Sequence, residues 1–414
     1  METYLSEKNG RRLIILCWLA YTTAYLGRLN FSASLGEIID SFGTTKAAAG
    51  LVASFFFFAY GAGQLINGFL SRRYNPRIAI AAALTVSAAL NVAMTFAGGV
   101  AVMKYIWLCN GLAQSVLWST LIHTLGVSLP GNMLKRAILV MSTTAALGTA
   151  LSYGMTALAI TVASWRWAFY VGAAIMLAVA AVWFTALPRG IAKGEGQRHA
   201  KETGSGKMAR LTPVFLFELA ILLLLAIFTN FIKDGLTTWT PDILFSMYSL
   251  PKALSIILTL TLPLIAVSGA FFSVRASKWI KNHVSLCGVF FAIAFVATGA
   301  LFLLINYGGW ILTLGGFALT VCAVSAVNNV ITSMVPLAWR DRLDSGFTAG
   351  LLNSFCYIGS TLSSVLLGLL ADARGWNGVF VLLLLLTGAA IFVCAATAMV
   401  RKAHGKKEGE SRVG

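Results

Sequence analysis

The chain of 414 residues is 58% apolar and only 11% charged, and its mean hydropathy is +0.82. Soluble globular surfaces need roughly 25% charged residues, so a soluble enzyme is excluded, as are disulfide scaffolds and disordered chains. Long apolar runs also exclude an outer-membrane barrel, whose strands alternate with period two.

In chain order, spans are expected near 12–34, 48–71, 77–97, 104–127, 137–160 and 166–187. A second set follows near 214–236, 252–274, 284–306, 309–334, 346–371 and 376–400. Each is about 20 residues long, which is what a helix needs to cross the hydrocarbon core. The net charge is +17, and its placement reads as topology. Of 31 Lys and Arg residues, 24 fall on the side of both termini and five (Lys46, Lys104, Arg166, Lys252, Arg374) on the other. Basic excess marks the cytoplasmic side, so both termini are expected inside a cell membrane, and nucleic acid is not an expected partner. The first apolar run is long and holds Tyr21, Tyr25 and Arg28, so it reads as a retained helix rather than a cleaved signal. The six cysteines form no CxxC pair, and neither a disulfide framework nor a metal site is indicated.

The polar stretch 188–213 is rich in Gly, Lys and Arg and reads as a cytoplasmic linker. It separates a six-helix bundle (1–187) from a second one with a short basic tail (214–414). The halves echo each other. Arg28 lies in span one and Lys233 in span seven. Arg72 follows Arg28 by 44 residues, and Arg275 follows Lys233 by 42. Gly148 precedes Trp165 by 17 residues, and Gly359 precedes Trp376 by the same 17, with Phe169 and Phe380 four residues further on. Such ordered matches imply an internal duplication. The expected fold is an all-α polytopic membrane protein of twelve helices in two pseudo-symmetric six-helix bundles. Transporters built this way bind substrate between the halves at the membrane midplane.

A charge at the bilayer centre costs at least about 2.5–3.5 kcal/mol and usually faces a polar cavity. Arg28 cannot shed its proton, and Tyr21 and Tyr25 share its helical face. Together they offer a positive fork and two hydroxyls suited to an oxyanion. The alternative is an arginine that snorkels to lipid headgroups. Lys233 is the matching cation, with Asp234 directly after it. The two could neutralise each other, although neighbouring helix positions point about 100° apart and do not naturally pair side by side. Gly235 and Pro241 are expected to loosen this helix. Asp234 stays open as partner, gate residue or proton site. Tyr60 and Gln64 on span two, Gln114 and Trp118 on span four, Asn230 on span seven, and Asn353 and Tyr357 on span eleven are further candidates. So are Asn328 and Asn329 on span ten. Each could equally be interhelical glue. Ser360, Ser364 and Gly368 read as close helix packing. There is no HExxH, GxSxG or P-loop, so no enzyme, ATP-driven pump or cofactor is expected.

GFLSRRYNPR (68–77) resembles the loop signature of the major facilitator superfamily, and the resemblance is stronger to its organophosphate–phosphate antiporter branch. YTTAYLGRLNF (21–31), Ala59–Gly61 with Gln64, and Asn75–Arg77 carry it in the first half. Lys233, Gly235, Trp239 and Pro241, followed by GFTAGLLNSFCYIGS (346–360), carry it in the second. The resemblance implies that Arg28 and Lys233 clamp a substrate phosphate, and that Tyr21, Tyr25, Tyr60, Gln64 and Tyr357 line the cavity. This chain departs from the branch in several places. Lys233 stands where the branch has arginine, Leu29 replaces a basic residue of some members, and Ser71 replaces the acidic residue of the loop. No histidine aligns with the one in span five of the bacterial antiporters. The expected function is gradient-driven transport of a small organic anion, a phosphate ester for preference, by a monomer using alternating access. Two alternatives are proton-coupled carboxylate transport with Asp234 titrating, and a membrane sensor of a sugar phosphate.

Overall fold

A computed structural model describes residues 5–188, 191, 212–304, 309–339, 342–343 and 345–410. The 188–213 linker, with His199, lies almost wholly outside the described residues, as do the end of the tail and the side chains of Arg72 and His404.

The described chain is helical throughout. The first half comprises α1 (Glu7–Ala33), α2 (Leu35–Phe42), α3 (Lys46–Leu70), α4 (Pro76–Thr95), α5 (Val100–Ser128), α6 (Gly131–Ser142), α7 (Thr144–Val162) and α8 (Trp165–Ala186). The second comprises α9 (Pro213–Tyr248), α10 (Lys252–Thr259), α11 (Thr261–Ala276), α12 (His283–Leu304), α13 (Gly309–Asn329), a π turn at Val330–Met334, α14 (Val335–Ala338) and α15 (Ser345–Glu410). Starts follow local chemistry: Thr45 and Asn75 accept from the first-turn amides of α3 and α4, and Pro76 opens α4 where no amide partner is needed.

Ten helices among the described residues are long and apolar enough to cross a membrane. One of them, Phe347–Arg401, is two helices joined at a kink at Gly375, whose φ of 67° a side chain would resist, and so provides two spans. The 27-residue α1 is less apolar because it carries Arg28 and a charged first turn. These account for the twelve expected spans. Span seven differs from expectation: α9 continues through Gly235 and Pro241 to Tyr248, twelve residues past the expected 236. Neither residue breaks it, and Thr237 Oγ1 donates to the Lys233 carbonyl along that stretch.

Packing divides the chain into two compact units. Spans one to six together with Thr238–Pro263 and Ser364–Leu369 form the first, and the remainder of spans seven to twelve forms the second. In the first unit α3 packs on α5, where a Cβ on Gly111 would lie 2.5 Å from the Phe56 carbonyl oxygen. In the second, α11 packs as closely on α13: a Cβ on Gly269 would lie 2.2 Å from the Cys322 carbonyl oxygen. Only glycine permits these backbone contacts.

Candidate functional site

In the first unit the polar face of α1 is built around Arg28, which is only 6% exposed. Its guanidinium carbon lies 4.0 Å from the Tyr25 ring centre, 5.2 Å from that of Tyr60 and 6.0 Å from that of Tyr21. Cation–π attraction of this kind is worth about 0.5–2 kcal/mol and offsets part of the cost of burying the charge. The Tyr21 and Tyr60 hydroxyls are 3.2 Å apart, and Gln64 Nε2 donates to Tyr60 at 2.9 Å. The Tyr21 ring packs against Trp118 with centroids 4.7 Å apart. Six expected residues thus meet: Tyr21, Tyr25, Arg28, Tyr60, Gln64 and Trp118.

Gln114 does something else. Its Nε2 donates to the Ala24 carbonyl at 3.1 Å and to Ser87 at 2.9 Å, tying α5 and α4 to the backbone of α1. Asn91 and Asn110 both donate to the Gly27 carbonyl, at 3.0 and 2.8 Å, and Asn30 donates to Asn91 at 2.8 Å. This amide cluster fixes the turn of α1 that presents Arg28. The sequence reading missed Ser87, Asn91 and Asn110. Their signal was present as polar residues four apart in apolar spans, Ser87 with Asn91 and Asn110 with Gln114.

In the second unit, Lys233 Nζ lies 3.4 Å from Asp234 Oδ1. Of the readings left open, the two do pair, although neighbouring positions point about 100° apart, because the four-carbon lysine stem can curl back across that angle. Asp234 Oδ2 also accepts from Ser360 Oγ at 2.5 Å and from Asn230 Nδ2 at 3.4 Å. Ser360, read from sequence only as a packing residue, therefore ties α15 to α9. Asn353 and Tyr357 are half-buried, seven and three residues before Ser360 on the same face of α15. Asn328 accepts from Cys356 at 3.7 Å and Asn329 donates to Ser273 at 2.8 Å, so both join helices.

The two cation stations share one construction. A Cβ on Gly148 of α7 would lie 2.7 Å from the Tyr25 Cβ and 3.0 Å from the Thr22 carbonyl oxygen. A Cβ on Gly359 of α15 would lie 2.1 Å from the Ile227 carbonyl oxygen. Thr22 precedes Arg28 by six residues, and Ile227 precedes Lys233 by six. Each cation is thus carried on a helix that a matching glycine lets its neighbour approach at the same offset.

The end of the first unit where α1 finishes carries a separate ionic clasp, also absent from the sequence reading. Lys46 pairs with Asp242 at 2.8 Å, and Lys252 pairs with Glu37 at 3.0 Å and Asp40 at 2.5 Å. Backbone contacts reinforce it: a Cβ on Gly50 would lie 2.0 Å from the Ser364 carbonyl oxygen, and one on Gly368 would lie 2.7 Å from that of Lys46. The cavity left among Gly36, Asp242, Phe245 and Lys252 is about 10 Å³, room for roughly one water.

The fold and these stations define a polytopic helical transporter of duplicated design, and among the described residues no cluster could hold a metal ion. The profile of the Major Facilitator Superfamily matches residues 17–343, and the chain belongs to that family, a family of transporters rather than enzymes. It is 22% identical to a probable hexose phosphate transport protein of Chlamydia pneumoniae, over 94% of this chain and 89% of that protein. It is 24% identical to the hexuronate transporter of Bacillus subtilis, over 97% of each. A bacterial homologue of the human lysosomal transporter Spinster superposes with a TM-score of 0.78 at 15% identity, covering 95% of this chain and 98% of that one. At that identity the superposition speaks for the fold alone.

Proposed function

We propose that this transporter moves a small organic anion, a phosphate ester first of all, with Arg28 and Lys233 as the two groups that hold its charge. The observation that carries this reading is Arg28 itself, a permanent charge buried in a membrane span and ringed by the tyrosines Tyr21, Tyr25 and Tyr60. A charge so placed is expensive and usually faces a polar cavity, where an anionic ligand can share it. A guanidinium grips two oxygens of a phosphate or carboxylate at once, while tyrosine hydroxyls and the Gln64 amide can take the rest. Lys233, with Asn230, Asn353 and Tyr357 in its half, supplies the second, point-like charge. The phosphate-ester and hexuronate relatives are both consistent with an anionic cargo.

In this reading residues 1–187 and 214–414 act as two rigid halves and both termini are cytoplasmic. Inorganic phosphate is the natural counter-substrate of an ester exchanger. The test is counterflow in proteoliposomes against a panel of phosphate esters and carboxylates. Arg28-dependent counterflow of no anion at all would sink the reading. Anion binding without any flux would turn it towards a sensor.

A second reading is favoured by one contact. Asp234 touches both Lys233 and Ser360, so protonating its carboxyl would release the lysine. Proton-coupled carboxylate transport would then show uptake driven by an imposed pH gradient and lost in Asp234→Asn, whereas phosphate exchange would persist without a gradient.

A further inference from the structure

At the opposite end of the first unit from the ionic clasp, a cavity of about 670 Å³ opens between the start of α1 and the later turns of α8. Its α1 wall is a single helical stripe. Lys8, Arg11, Arg12, Ile15 and Leu19 recur at spacings of three and four, so they stand above one another on one face. With a rise of 1.5 Å per residue, the stripe runs about 16 Å from Lys8 to Leu19. It changes character on the way, from three cations to apolar side chains. Ile15 is 58% exposed and Val182 of α8, on the facing wall, is 46% exposed. In a chain that crosses a bilayer these side chains face hydrocarbon, while Lys8, Arg11 and Arg12 lie at headgroup depth.

Glu7 pairs with Arg11 at 2.5 Å, but both groups are exposed, and such pairs contribute little. Glu7 also lines the cavity, and with three cations to one carboxylate the local balance stays positive. Free inorganic phosphate would satisfy the cations and leave the apolar two-thirds of the stripe unused. A soluble protein segment could not reach a wall that lies below headgroup depth. The molecule with a negative phosphate at one end and an acyl chain at the other, in the right order and at the right spacing, is a membrane lipid.

We propose that this cavity is a binding site for one anionic glycerophospholipid, its phosphate held by Lys8, Arg11 and Arg12 and its acyl chain laid along Ile15, Leu19 and Val182. The site is separate from the Arg28 station, twenty residues along α1, and does not depend on the identity of the transported anion. Juxtamembrane cations attract anionic lipid strongly enough that each one lost should be felt as roughly a several-fold drop in affinity.

The full-length protein would be purified in mild detergent and loaded with either phosphatidylglycerol or phosphatidylcholine, and retained lipid counted by native mass spectrometry. Phosphatidylglycerol should be retained in preference by the wild type, and the Lys8→Gln/Arg12→Gln variant should retain it about tenfold less well. Ile15→Asn should weaken retention as well, which a purely electrostatic surface would not show. Melting of both variants in phosphatidylcholine, monitored by fluorescence, checks that they fold. Equal retention of the two lipids would overturn the proposal by showing only an annular shell. Undiminished retention in the double variant would also overturn it. So would displacement of the lipid by millimolar inorganic phosphate, which would make the cavity an ion site.

Discussion

Arg28 and Lys233 occupy matching places in the two halves, and their surroundings differ in kind. Arg28 is faced by aromatic rings and hydroxyls, with Tyr25 at 4.0 Å, whereas Lys233 is faced by the carboxylate of Asp234 at 3.4 Å. Both lie where a glycine on a neighbouring helix allows backbone contact six residues upstream. The duplication therefore preserved the scaffold and let the electrostatics diverge. One half offers a fixed, planar cation. The other offers a point charge already in contact with the Asp234 carboxylate, with which an anion drawn to Lys233 in the proposed function would have to compete. The unequal pair would distinguish the two ends of an asymmetric ligand better than two arginines would.

The largest expected effect comes from removing that planar cation. Arg28→Gln should abolish anion counterflow. Arg28→Lys keeps the charge but loses the fork and should weaken binding by about 1.5–3 kcal/mol, roughly tenfold to over a hundredfold, in equilibrium binding on purified protein. Lys233→Arg should be tolerated or favour phosphate, while Lys233→Gln should stop transport of a dianion. Equal sensitivity to lysine–arginine exchange at both positions would erase the contrast between the halves.

The shared scaffold is tested next. Gly359→Ala drives a methyl into the Ile227 carbonyl, a rigid backbone atom, and should destabilise by about 1–3 kcal/mol, read as a lower melting temperature. Gly148→Ala meets the Tyr25 Cβ at 2.7 Å and the Thr22 carbonyl oxygen at 3.0 Å, longer contacts than the 2.1 Å at Gly359, and should cost less stability. It should still reduce anion affinity, because Tyr25 is displaced beside Arg28.

A smaller change tests the divergence itself. Asp234→Asn removes the competitor of Lys233 and should raise affinity for anions several-fold at neutral pH, while leaving Arg28-dependent binding intact. No change in affinity would mean that the Lys233–Asp234 contact is weak in the membrane. Smallest of all, Tyr60→Phe removes one hydroxyl that contacts Tyr21 and Gln64 and keeps the ring beside Arg28. Its cost should be about 1 kcal/mol or less, seen as a modest rise in the binding constant.

Much of the architecture was legible in the linear chain, since a span must be apolar over about 20 residues and leaves a mark that no tertiary contact can hide. The cations of the candidate site were legible for the converse reason: a charge inside an apolar run is costly enough to stand out. The polar candidates around them were harder to sort. Gln64 and Gln114 look alike in sequence, yet one donates to a tyrosine beside Arg28 and the other to the backbone of α1. Which of two helical faces meets a neighbour's backbone depends on the rotation of each helix in its bundle.

Composition and periodicity by themselves determined that this is a membrane-spanning helical protein, that it is duplicated, and that Arg28 and Lys233 are its unusual residues. Tertiary structure alone decided that Lys233 meets Asp234 and that Asp234 is held by Ser360. It likewise decided that Gly148 and Gly359, already matched in sequence, each meet a backbone carbonyl six residues before a cation, and that Lys46 and Lys252 meet Asp242, Glu37 and Asp40. Hydropathy is summed along the chain and survives any packing. Ion pairs and backbone contacts join residues more than two hundred, and in places more than three hundred, positions apart, and only the packing of the helices brings them together.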